Sequence, residues 1–383
     1  MAEPRPAMFL GASEPLVPPL YQSSVYTLPD LDALDRIYNA EETGYIYARD
    51  AHPNARHLAA KLAAIEGAAW GVVCGSGMAA ISALVLALVQ GGDRIVASHR
   101  LYGRTTQLFM EELTRFGVRT ELVDCHDLAA VQRALQTPAR LLFVETMSNP
   151  LLRVPDLERL AKLAHERGCR FVVDNTFATP ALVRPLDLGA DLVMESLTKM
   201  IGGHSDVTLG VACGKEADLL PQITRIVSIW GLASNPFDCW LAERGLATLP
   251  LRMRTASRNA AALAEWLPTQ PGVSRVLYPG LRDHPDHEVA GRLLGGHYGN
   301  MLCFELSGGR DAVNRFLRQA RGVPFSPSLG NTTTTCSHPA ATSHRYVSPA
   351  EKQRQGIGEG LVRLSVGVEE LGRIQEEMAK GLK

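Results

Sequence analysis

In the stretch Glu195-Ser-Leu-Thr-Lys-Met-Ile-Gly-Gly-His-Ser-Asp206, Lys199 follows a short apolar run ending in Val193-Met194. Hydroxyls stand at Ser196 and Thr198, and the pair Gly202-Gly203 follows. An amine at the end of a buried strand, flanked by small donors and given room by glycines, has the setting to form a Schiff base with an aldehyde cofactor. A Ser-x-Thr-Lys taken alone also describes a surface lysine on a loop. The elements around it decide between the two.

Those elements alternate. Trp70 to Cys74 reads as a buried strand that runs into Gly75-Ser-Gly77-Met78 and a long apolar helix, Ala79 to Val89. A strand, a glycine turn and a helix in that order bring free backbone N–H groups and the positive helix end to one point, which suits a phosphate. The same turn also serves geometry alone, and it is not a GxGxxG fingerprint. Runs at Arg94–Ala97, Arg119–Val123, Leu141–Val144, Phe171–Val173 and Asp191–Met194 are separated by helical segments, among them Thr106–Phe116, Leu128–Leu135 and Asp156–Arg167. This pattern predicts an α/β fold with a large, mostly parallel sheet covered on both faces. Polar residues belong at the C-terminal strand ends of such a sheet. Glu145, Asp174-Asn175 and Ser196 to Lys199 stand there. Each alone also reads as a helix cap or a satisfied polar end; three together predict a site.

At 383 residues the chain is long enough for two domains. We divide it into an N-terminal arm over 1–50, a large domain over 51–250 and a smaller α+β C-terminal domain over 251–383. The arm carries Pro15, Pro18, Pro19 and Pro29 without a sustained period, and ends in Tyr45-Ile-Tyr47-Ala-Arg49. Apolar residues make up 46% and charged ones 21%, and the net charge is −1, so nucleic acid and anionic membranes are not expected partners. The apolar stretch Met78 to Val89 is short of the roughly 20 residues that span a bilayer. No signal peptide precedes it, and the seven cysteines show no CxxC spacing, which predicts reduced thiols in a cytoplasmic protein. The histidines lack HExxH or paired-cysteine spacing, so no metal is expected.

Trp70 to Met78, Ser148-Asn-Pro150, Asp174-Asn-Thr-Phe177, Ser196-Leu-Thr-Lys199, Gly203-His-Ser-Asp206, His338-Pro-Ala340 and Leu361 to Gly367 together resemble the Cys/Met-metabolism family of pyridoxal-phosphate enzymes. The resemblance extends in register from about Tyr21 to the C-terminus. It implies the aspartate-aminotransferase-like fold type I and pyridoxal 5'-phosphate as cofactor. Lys199 would hold the cofactor covalently and shuttle protons, and Asp174 would pair with the pyridine nitrogen. Gly77, Met78, Ser196 and Thr198 match the phosphate cup, while Tyr47 and Arg49 match an element that reaches the neighbouring subunit's phosphate. Tyr102 corresponds to the tyrosine that stacks on the pyridine ring and assists the leaving group. Asn149 matches the residue near the cofactor's phenolic oxygen, Arg363 the clamp on the substrate α-carboxylate, and Ser328 joins these two as a substrate contact. His204, Ser205 and Asp206 are read as structural. The implied assembly is a dimer sharing its active sites, with two dimers joining as a homotetramer.

The implied activity is γ-elimination or γ-replacement on a sulfur amino acid or an O-acyl-homoserine, as in cystathionine γ-synthase and γ-lyase. Methionine γ-lyase-like or O-acyl-homoserine sulfhydrylase chemistry is the alternative. Two positions bear on the choice. Pro327 precedes Ser328 where cystathionine enzymes usually carry glutamate, and Arg104 stands where relatives have glycine or cysteine. An Arg104 facing the pocket favours a γ-substituent with an acidic or strongly polar end. From other classes, a non-catalytic cofactor-binding protein would be expected to lose Lys199, Asp174 or Arg363. A cysteine desulfurase would need a mobile cysteine, for which Cys336 beside His338 is the candidate.

Overall fold

The computed structural model describes residues 13–345 and 347–382. The first twelve residues of the expected arm lie outside that range. Seven strands build the larger sheet: β1 (Trp70–Cys74), β2 (Arg94–Ser98), β3 (Arg119–Val123), β4 (Leu141–Glu145), β5 (Arg170–Asp174), β6 (Leu192–Ser196) and β7 (Gly210–Gly214). They lie in the order β1-β7-β6-β5-β4-β2-β3. β7 runs antiparallel to both neighbours, and the other pairs are parallel.

The continuous apolar runs arise because both faces are covered. Along β4 to β6, Leu142, Val144, Phe171, Val173 and Val193 pack with Leu58, Leu62, Leu157 and Leu160 from the helices Pro53–Glu66 and Leu157–His165. The alternate residues Leu141, Phe143, Val172, Leu192 and Met194 pack with Ile81, Leu84, Ile223 and Val227 from the helices Gly77–Leu88 and Leu219–Ile229. Each such large side chain stabilises the fold by about 1.5–3 kcal/mol. All seven cysteines are free, buried thiols.

A second sheet of β8 (Val273–Leu277), β9 (Met301–Leu306), β10 (Thr335–Ser337) and β11 (Leu361–Ser365) is antiparallel throughout, in the order β10-β11-β9-β8. Leu263, Phe316 and Met378, from the helices Leu249–Trp266, Gly309–Gln319 and Leu371–Gly381, cover Leu302, Phe304, Val362 and Leu364 on one of its faces. Among the described residues no helix is long and apolar enough to cross a membrane.

Three elements differ from the sequence expectation. The helix expected over Thr106–Phe116 begins at Gly103, widens into a π-type turn over Leu108–Glu112 and tightens into a 3-10 turn over Leu113–Phe116. There the Thr114 hydroxyl donates to the Met110 carbonyl at 2.9 Å and competes with the backbone ladder. β7, a glycine-bounded run of small residues, carries too weak a pattern to be read as a strand. The arm contains the short helix Leu31–Tyr38, capped by Asp30. Asn54 pins the arm through Tyr21 and Pro19, and the Trp240 indole donates to the Pro18 carbonyl.

Candidate active site

The parallel register sets Glu145 of β4 beside Asp174 of β5. Burial raises both carboxyls, Asp174 to about 6, and the neighbouring Asp174 pushes Glu145 up further. Backbone donors answer this cost. Thr176 N–H donates to Asp174 at 3.0 Å, the Tyr102 N–H donates to Glu145, and the Asn149 backbone beside Glu145 offsets part of its rise. One strand further, Ser196 ends β6, and a turn carries the chain to Lys199.

Lys199 meets the second sheet here. Its Nζ donates to Ser328 Oγ at 3.2 Å. The Ser328 carbonyl accepts from Arg363 Nη2 at 3.2 Å, and Arg363 Nη1 donates to Asn149 Oδ1 at 2.7 Å. Arg363 is 3% exposed on β11, and its Nε has no partner among the described residues. A buried guanidinium without a carboxylate beside it is costly, and its remaining donor suits a carboxylate ligand. Burial lowers the Lys199 amine below its usual value, and the Arg363 charge lowers it further. Gly330 makes this meeting possible. A Cβ there would lie 2.5 Å from Met200 N and 2.6 Å from the Lys199 carbonyl carbon, and its φ of +85° disfavours a side chain.

At the N-terminus of the helix Gly77–Leu88, the Ser76 hydroxyl accepts from Ala79 N–H. The N–H groups of Gly77 and Met78 have no acceptor inside the helix. A Cβ on Gly77 would fall 2.8 Å from Ser196 Cβ and 3.0 Å from its Oγ, so turn and hydroxyl form one cradle. Thr198 Oγ1 is engaged with the Leu209 backbone, donating at 3.3 Å and accepting at 3.2 Å.

Tyr102 is 40% exposed and lines a cleft of about 1370 Å³ together with Arg100, Arg104, Pro327 and His344. Lys199 and Asp174 do not line it. The cleft runs across Tyr102 and Pro327, and Pro327 precedes Ser328, the partner of the lysine. Arg104 faces it and donates to Gln107 at 2.8 Å.

Hydrogen bonds thus join Lys199, Ser328, Arg363 and Asn149, and Gly77 packs on Ser196, while Tyr47 and Arg49 join neither group. Tyr47 pairs with Val25 within the arm, and the Arg49 guanidinium lies 5.2 Å from the Tyr47 ring centre and 3.8 Å from Asp50. Among the described residues no hydrogen bond links either to Lys199, Asp174 or Ser196. His204 Nδ1 meets the Gly202 carbonyl at 2.7 Å, a local turn contact. Cys336 is 1% exposed with its thiol pushed up to about 12 by burial, a poor setting for a sulfur-transfer nucleophile. Sequence reasoning marked Glu145 only as a strand end and missed its grip on Tyr102 and Asn149. The signal was there, since an acid ending a buried strand needs donors.

The family model for Cys/Met metabolism PLP-dependent enzymes matches residues 10–383. O-succinylhomoserine sulfhydrylase of Pseudomonas aeruginosa is 41% identical over 363 residues, which cover 95% of this chain and 90% of that protein. L-methionine gamma-lyase of Pseudomonas putida is 37% identical over 370 residues, 96% of this chain and 92% of the relative. The crystal structure of cystathionine gamma synthase from Xanthomonas oryzae pv. oryzae in complex with cystathionine superposes with a TM-score of 0.91 at 37% identity, covering 96% of this chain and 92% of that one.

The raised Asp174 carboxyl has a sign that can be measured. Its stabilising contribution is complete below the ordinary aspartate range and is lost as pH rises through about 6. In the cofactor-free protein, Asp174→Asn is expected to raise the melting temperature at pH 7.5 and to leave it nearly unchanged at pH 4. Thermal unfolding at the two pH values checks this, and a variant less stable at pH 7.5 contradicts the assignment of a desolvated acid.

Proposed function

The chain belongs to the Cys/Met metabolism family of PLP-dependent enzymes, and from that premise we propose that it catalyses γ-elimination or γ-replacement on a sulfur amino acid or an O-acyl-homoserine. The observation that carries this is the relay Lys199–Ser328–Arg363–Asn149 set against the buried Asp174. It supports a reading in which an amine base, a carboxylate clamp and a buried acid serve one site.

The residues fit pyridoxal 5'-phosphate. Lys199 would hold its aldehyde carbon and Asp174 its ring nitrogen. Gly77, Met78 and Ser196 would hold its phosphate, with Thr198 behind them, and Tyr102 would lie against the ring. When bound, the cofactor supplies an electron sink for charge developing at Cα and Cβ of the substrate. The rest is the work of the chain. Arg363 takes the substrate α-carboxylate with the Nε left open by its other partners, while Asn149 and Ser328 fix the plane of its fork. Lys199 Nζ removes the proton from Cα and handles the proton at Cβ, helped by the desolvation that disfavours its charged form. Tyr102, which lines the cleft, would assist departure of the γ-substituent.

Arg104 in the cleft favours a γ-substituent that ends in an anion, such as the succinyl ester named for the Pseudomonas aeruginosa relative. A methionine γ-lyase-like activity on a neutral thioether is the second reading, supported by the Pseudomonas putida relative. The exposed arm residues Leu16, Leu20, Tyr21 and Tyr47 support a dimer in which Tyr47 and Arg49 serve the neighbouring subunit's phosphate, with two dimers as a tetramer. The division into 1–50, 51–250 and 251–383 and a cytoplasmic location belong to the same proposal.

Three outcomes are expected. Lys199→Ala abolishes the visible absorption band of the cofactor-loaded protein, and an unchanged spectrum removes the basis of the assignment. Mixed with Arg49→Ala, which retains cofactor poorly, it recovers part of the activity in hybrid dimers; absence of recovery argues against the shared site. Arg104→Gln lowers kcat/KM for O-succinyl-homoserine by roughly 10- to 100-fold, the worth of a charge-assisted contact, and leaves O-acetyl-homoserine and methionine nearly unchanged. Equal losses on all three place Arg104 outside substrate recognition.

A further inference from the structure

Behind the strand ends lies a second pair of acids that the proposed chemistry does not use. Glu66 closes the helix Pro53–Glu66 and Glu195 stands next to the end of β6, each 1% exposed. Both converge on one amide. Asn175 Nδ2 reaches Glu66 Oε1 at 3.3 Å, Glu195 Oε1 at 3.1 Å and the Val183 carbonyl at 3.0 Å, while its Oδ1 accepts from the Thr146 hydroxyl at 2.8 Å. The second oxygen of each carboxyl, Glu66 Oε2 and Glu195 Oε2, has no donor among the described residues. Two N–H bonds cannot satisfy two ionised carboxylates, and two full charges here would repel in a buried, low-dielectric setting. A single proton between the carboxyls removes both problems, since one then donates to the other.

We infer that Glu66 and Glu195 act as one proton-sharing carboxyl pair that holds Asn175, and through it Asp174, in place and keeps a single negative charge behind Asp174. They are positioning residues, contributed by the helix and the strand that flank the β5 end. The groups that face them agree with this state. Burial raises both carboxyls, and Glu195 is raised further by Glu66 and by the Asp174 charge. Arg184 opposes the rise at Glu66 while Asp187 adds to it, and the Cys213 thiol of β7, itself pushed up by burial and by both acids, stays protonated. One retained charge behind Asp174 strengthens its hold on a protonated ring nitrogen. This part rests on the proposed cofactor site, whereas the shared proton does not.

The test separates the two. Glu195→Gln keeps the contact, because an amide N–H donates to Glu66, and it keeps the single charge, but it has no proton to lose. A carboxyl raised in the folded state loses its stabilising contribution as pH rises through its folded value. The melting temperature of full-length Glu195→Gln, relative to the unsubstituted protein, is therefore expected to improve steadily from pH 5 to pH 9. A constant or shrinking difference overturns the shared proton. The Glu66→Gln, Glu195→Gln double variant removes the charge. With ¹⁵N-labelled pyridoxal phosphate, its ring-nitrogen resonance is expected to move toward the unprotonated position, while the single variant keeps the original shift. Identical shifts in all three proteins overturn the positioning role. Failure of the cofactor reading shows separately, as an unchanged spectrum in Lys199→Ala.

Discussion

Glu145 and Asp174 stand side by side in register at the ends of two parallel strands, both desolvated. Two carboxylates so placed are tolerated only when N–H groups are aimed at them. The donors that meet this demand are backbone groups of Tyr102 and Thr176, with the Asn149 backbone beside Glu145. Satisfying Glu145 therefore holds the Tyr102 backbone in place, and the Asn149 side chain accepts from Arg363. One electrostatic constraint at the strand ends propagates outward into the arrangement of the whole site.

The opposite charge comes from elsewhere in the chain. Arg363 belongs to the smaller antiparallel sheet, and the Ser328 loop delivers its hydroxyl to Lys199. The loop is held by Gly330, whose N–H donates to Ser365 of β11 at 2.8 Å. An acid set and a cationic set are thus built on different sheets, and Lys199 sits where they meet. Its lowered proton affinity follows from that position, since burial and a nearby guanidinium act in the same direction. The cleft beside Tyr102 adjoins this junction through Pro327, so its lining can vary while the buried charged groups are left intact.

Much of the large sheet was legible before any coordinates. Runs such as Leu141–Val144 and Phe171–Val173 alternate with helices at spacings only a parallel sheet explains, and both lie within one residue of the observed strands at each end. The broken helix after Tyr102 was not legible, because a threonine bonding back to the preceding turn leaves no periodic mark. β7 was not either, since a run of small residues bounded by glycines looks like a turn until its neighbours are known. Tyr47 and Arg49 were recognisable as a pair, yet a single chain leaves them within the arm.

Residue identity along the chain determined the chemistry on offer: an amine behind a strand, acids at neighbouring strand ends, a glycine turn before an apolar helix, a lone arginine in an apolar run. These are local facts, and periodicity plus the cost of burying charge suffice to read them. Only the tertiary structure decided which charges meet. Arg363 and Asn149 are separated by 214 positions, Glu66 and Asn175 by 109, and the cleft forms between Tyr102 and Pro327. Such pairings depend on how two sheets and a helix close on one another, and no pattern along a single chain encodes the distance between groups so far apart.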